Sequence, residues 1–129
     1  MKRKDWLYWI LVLIAVSTAL TGSIQLVAPA FILRLLSAET TTTSQHFFAI
    51  VGMFMVLFGG LALHGVYTGS APPLLWAALQ KFGAVGAVVL GVSKGVFSLL
   101  ALAVAGFDLL SALIIIGYWR KLSVGGMAR

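Results

Sequence analysis

The sequence predicts an all-α integral membrane protein: a four-helix transmembrane bundle of up-down topology, one domain over residues 1–129. Three observations carry this. Of 129 residues, 61% are hydrophobic and only 9% charged, whereas a soluble domain carries roughly 25% charged residues. Mean hydropathy is +1.08, so lipid, not water, is the solvent this surface suits. The apolar residues also fall into four runs, each near the roughly 20 residues that a spanning helix needs.

The first run, 6–27, carries Ser17, Thr18, Thr21 and Gln25 within an otherwise apolar stretch. It follows Lys2, Arg3 and Lys4, but it is longer than the usual 7–15 residues of a leader's apolar core, so cleavage is not expected. "PAFILRLLS" (29–37) follows. Its Phe31, Ile32, Leu35 and Leu36 beside Arg34 suit a short helix lying at the membrane interface. It equally suits a continuation of the first helix past a kink at Pro29.

"AETTTTSQ" (38–45) reads as a polar outer loop, and the second span covers 47–67. "TGSAPP" (68–73) is a turn, with Pro72 and Pro73 suited to a first helical turn, where a missing N–H is no loss. The third span, 74–92, contains Lys81. "GVSKG" (91–95) turns the chain into the fourth span, 96–119, which contains Asp108.

Orientation follows from charge. Six of the nine basic residues (Lys2, Arg3, Lys4, Arg120, Lys121, Arg129) flank the two ends. The positive-inside rule then puts both termini in the cytoplasm, facing anionic headgroups. The formal net charge of +6 is therefore a topology signal and not a nucleic-acid signature. All seven Trp and Tyr residues (Trp6, Tyr8, Trp9, Tyr67, Trp76, Tyr118, Trp119) fall at that same cytoplasmic interface in this threading. Amphipathic rings anchor there.

Lys81 and Asp108 are the residues that ask for an explanation. A bare charge at mid-span costs about 2.5–3.5 kcal/mol. Lys81 lies seven residues past Leu74, roughly 10 Å, too deep for easy snorkelling to the headgroups. With a tight turn centred between Lys94 and Gly95, Lys81 stands as far before the centre as Asp108 stands after it, about 20 Å each way. An intramembrane ion pair is expected. Ala101, Ala105, Ser111 and Ala112 share the face of Asp108, and Ala77, Ala78 and Ala84 that of Lys81. Small residues permit close approach. The seams Ala15/Ala19/Ser23, Gly52/Val56/Gly60 and Gly83/Ala87/Gly91 suit a compact bundle or contacts in a homo-oligomer or larger membrane complex.

No catalytic or cofactor constellation emerges. The chain has no cysteine, which removes thiolate metal sites and thiol redox chemistry. His46 and His64 lie 18 residues apart on one helix, about 27 Å, so they cannot share a haem within one chain. There is no GxSxG and no phosphate-binding loop. The expectation is a non-enzymatic accessory or structural membrane subunit without cofactor or metal, with the pair as a clamp. The alternative is a small proton- or ion-coupled transporter using Asp108 and Lys81.

"PAFILRLLS", "HFFAIVGMFMVLFGGLALHGVY", "QKFGAVGAVVLG" and "FDLLSALIIIGYWRKL" together resemble a group of small four-helix bacterial membrane proteins, loosely DoxX-like. The resemblance covers most of the chain and rests on Lys81, Asp108 and the "YWRKL" ending. Gln80 departs from it, standing where the group often has Gly. The resemblance implies a bacterial inner-membrane location and no particular reaction. Small multidrug transporters share the size and span count, but they place an essential Glu in the first span, where this chain has only Asp5 at the edge.

Overall fold

The computed structural model describes residues 5–127. The helices are α1 (Trp6–Val27), α2 (Pro29–Leu35), α3 (Thr42–Thr68), α4 (Ala71–Ser93) and α5 (Leu100–Met127), with no strand among the described residues. α1, α3, α4 and α5 are each long and apolar enough to cross a membrane. The fold is the all-α four-helix bundle, and the chain is a multi-pass membrane protein. Lys2, Arg3, Lys4 and Arg129, on which the orientation partly rests, lie outside the described residues.

Local chemistry sets the boundaries. The Asp5 carboxylate accepts from the Tyr8 N–H at 3.0 Å and caps α1. α1 stops because Ala28, ahead of Pro29, leaves the helical region (φ −133°, ψ 62°). Segment 29–35 is thus a separate short helix and not an extension of α1. It ends in a Schellman motif: the Ala38 N–H donates to Leu33 O and the Ser37 N–H to Arg34 O, with Ser37 at φ 55°.

α3 begins five residues ahead of the expected start. Thr41 and Ser44 form a reciprocal capping box that turns part of the threonine run into a first helical turn. α4 starts on its two prolines and closes with a second Schellman motif, in which Gly95 (φ 76°) is the left-handed residue. α5 starts four residues later than expected. Val96, Phe97 and Leu99 are apolar, but this stretch folds back on α4. The N–H groups of Val96 and Phe97 both reach Gly91 O, and the Phe97 ring fills the space where Gly91 would carry a Cβ. The turn is therefore a six-residue linker, 94–99, and not a tight reversal.

The long helices pack as two pairs, α1 on α3 and α4 on α5. Glycine brings the first pair together: a Cβ on Gly52 would lie 2.7 Å from Gly22 O, and one on Gly59 would lie 2.8 Å from Ala19 N. Of the expected seams, Ala15, Ala19 and Gly52 lie in this contact and Gly59 takes the place of Gly60, whereas Gly60 and, on α4, Gly83 have nothing within 4 Å. Alanine serves the second pair, with Ala78, Ala101, Ala105 and Ala112 all buried, while Ala77 of α4 is buried in a cluster with Ala15 and Ala62 of the first pair. The two pairs join through a core of Tyr8, Leu11, Ile14, Val66, Leu74 and Ile115, with Tyr118 beside them. This core occupies the half of the bundle nearest the chain ends. At that same end Lys121 Nζ meets Asp5 Oδ2 at 3.2 Å, so the start of α1 and the end of α5 lie together.

Candidate functional site

Lys81 Nζ lies 3.1 Å from Asp108 Oδ1. Their side chains are 5% and 15% exposed. Lys81 sits about three turns before the end of α4 and Asp108 about two turns into α5. The folded-back linker brings two unequal offsets level. The Lys81 ammonium also stands 5.5 Å from the Phe107 ring centroid, within cation–π range. Small neighbours permit the approach: Ala78 on α4, and Ala105, Ser111 and Ala112 on α5, are all buried. Among the described residues neither charged group has a second hydrogen-bond partner.

The pair forms one end of a cavity of about 370 Å³ between the two helix pairs. Ile32 and Leu35 of α2, its C-cap Leu36, and Phe97 of the linker close the other end. The walls are mostly apolar, with Val51, Met55, Val88 and Val104 among them. Thr18, Thr21, Gln25 and Gln80 add the only uncharged polar side chains to the lining. Two of these are spoken for. The Thr18 hydroxyl donates to Ile14 O at 2.8 Å, and the Gln25 amide donates across to Phe48 O at 3.0 Å. The Ser98 N–H donates to Leu36 O at 2.8 Å and ties the linker to α2, which fixes the roof.

A second hollow, of about 300 Å³, meets the first at the pair. It is lined by Thr18, Thr21 and Met55 on one side and by Ala103, Val104 and Phe107 on the other. It lies where α1 and α5 diverge, since these helices touch only slightly. Concave, mostly apolar space with a few convergent polar groups is the usual form of a small-molecule site.

The remaining expected residues scatter. Trp6, Trp9, Tyr67 and Trp76 point outward, 57–72% exposed, as headgroup-level rings do. Tyr118 does not: it is 3% exposed in the core, and Tyr8 is 6% exposed beside it. Trp119 is half-buried against the same core. Rings near a helix end can face the bundle as readily as the lipid, and only packing decides. His46 and His64 are both exposed, and neither lines the hollows at the pair. Sequence reading did not find the cavity. Its one local signal was the run of polar side chains Thr18, Thr21 and Gln25 at i, i+3 and i+7, a stripe on one face of α1.

No protein-family model, curated protein or solved structure matches the chain.

Proposed function

We propose that this is a non-enzymatic membrane protein that holds a lipophilic small molecule between its helix pairs, with Lys81 and Asp108 as the polar anchor. The observation that carries this reading is the cavity ending at the pair. A clamp that only fixed the α4–α5 register would need no hollow half beside it, because membrane helices gain their association from close packing. The function as an accessory subunit is compatible, the bound molecule being what the subunit holds. A location in a bacterial inner membrane with cytoplasmic termini belongs to the same proposal, supported by the clustered basic residues and the outward Trp rings. So does kinship with the DoxX-like group, supported by Lys81, Asp108 and the Tyr-Trp-Arg ending.

Ion-coupled transport is the second reading. Asp108 is the more exposed partner and lines both hollows, and buried carboxylates in spans mark such paths.

The test is extraction in native lipid nanodiscs followed by mass spectrometry of what each chain retains. The wild type is expected to carry a small molecule that Ala84→Phe, which fills the cavity, expels while the fold persists. A wild type that retains nothing, and gains no thermal stability from lipid extracts, would leave the clamp as the better account.

A further inference from the structure

Resting on that binding reading, we infer that the anchored molecule is an uncharged, single-chain amphiphile with a hydroxyl head. The argument starts from charge. The pair is neutral overall, and every other side chain lining the cavity is uncharged. An anionic or cationic head brought against it would leave one unpaired charge in a space of low dielectric, which is strongly unfavourable.

The bonding capacity left at the pair narrows the choice further. Lys81 has three N–H donors and places one on Asp108. The Asp108 carboxylate accepts that one bond, and among the described residues no other group reaches it. The site therefore offers two spare N–H donors and spare carboxylate acceptor capacity side by side. A hydroxyl uses both at once: its O–H donates to the carboxylate while its oxygen accepts from the ammonium. A carbonyl satisfies only the lysine, and an ammonium only the aspartate. The mostly apolar walls that run from the pair to α2 accommodate a hydrocarbon tail. Along α1 the polar stripe from Thr18 to Gln25 spans about 10 Å, so the space takes a short chain or the first part of a longer one. The second hollow beside Phe107, where α1 and α5 diverge, gives a sideways entrance to the pair. An amphiphile already dissolved in the bilayer needs no aqueous route.

The experiment uses the full chain in phosphatidylcholine nanodiscs with a diazirine-bearing octan-1-ol as the probe. Crosslinks are mapped by mass spectrometry, and octan-1-ol, octanoate and octylammonium compete at pH 7. Labelling is expected on cavity residues such as Gln25 and Met55, with octan-1-ol competing at least tenfold more effectively than either ion. The double change Lys81→Leu/Asp108→Leu keeps an apolar core and should lower labelling about tenfold, the loss of a charge-assisted hydrogen bond. Ala84→Phe should abolish labelling with the pair intact, so a folding defect in the double variant does not decide the matter. If octanoate or octylammonium competes as well as the alcohol, the hydroxyl-head inference falls and the binding reading stands. Absence of cavity labelling in the wild type overturns both.

Discussion

Gly22 and Gly52 face each other across the α1–α3 contact so closely that a Cβ on either would stand 2.7 Å from the other's carbonyl oxygen. The obstacles are backbone atoms and, at Gly22, the Met55 Cβ at 2.6 Å, none of them the end of a flexible side chain, so the helices themselves must separate to admit a methyl group. Gly22→Ala or Gly52→Ala should destabilise the bundle by about 1–3 kcal/mol, as overpacking of a close contact does. Gly83→Ala on the open face of α4 should be neutral or slightly stabilising, since Ala is the better helix former. Thermal unfolding in one detergent compares the three. Equal effects at Gly22 and Gly83 would contradict the packing described.

Lys81 and Asp108 should be energetically coupled. Lys81→Leu or Asp108→Leu alone leaves a buried charge without its counterion, whereas the double change leaves none. The double variant should be more stable than the sum of the single losses predicts, with a coupling of about 1–3 kcal/mol. Strict additivity in the cycle would mean that the 3.1 Å contact contributes nothing.

Asp5 and Lys121 form a second ion pair of a different kind, with Lys121 mostly exposed. Lys121→Ala should cost less than about 1 kcal/mol and should matter less at high salt. Asp5→Ala should cost more, because it also removes the cap on the Tyr8 N–H, a loss of about 1 kcal/mol by itself. The order of the two variants in a melting series at low and high salt checks this.

Gly95 ends α4 at φ 76°, where a Cβ costs about 1–2 kcal/mol. Gly95→Ala should lower stability by about that amount. It should also loosen the roof, since the Schellman turn positions the linker that bonds to Leu36. Faster hydrogen exchange at the Ser98 amide, unmatched in α1, is the expected signature.

Topology can be read directly, because the chain has no cysteine of its own. Single cysteines at Ala38 and Ser70 flank α3 at opposite ends. They should react with a membrane-impermeant maleimide from opposite sides. Reaction of both from one side is the result that the four-span arrangement forbids.

Hydropathy made the four long helices legible, because lipid demands apolar surface along a whole span. Counting outward from the α4–α5 turn leads to the same two charged residues that the structure holds together, although the turn itself differs. Val96–Leu99 look like helix by composition, and nothing local shows that Phe97 folds back on Gly91. The choice of Gly59 over Gly60 for the close contact depends on the rotation of α3 about its axis, which a small-residue spacing leaves open. That the Tyr118 ring faces the core depends in the same way on the rotation of α5. The cavity is a property of how two helix pairs diverge, so no single segment encodes it beyond the polar stripe on α1.

The order in which the ribosome delivers Lys81 and Asp108 gives their contact a consequence during synthesis. The two residues are 27 positions apart, so at 5–20 residues per second the lysine emerges roughly one to five seconds before its counterion. For that interval α4, the least hydrophobic of the four spans, carries an unmatched charge, which disfavours its insertion by about 2.5–3.5 kcal/mol. α1 and α3 carry no such burden and can partition into lipid as they appear. α4 gains a neutralised surface only when α5 arrives beside it. The last two helices should therefore leave the translocon together as a preformed hairpin. A chain truncated before Asp108 should leave α4 poorly inserted, whereas Lys81→Leu in the same truncated chain should restore its insertion.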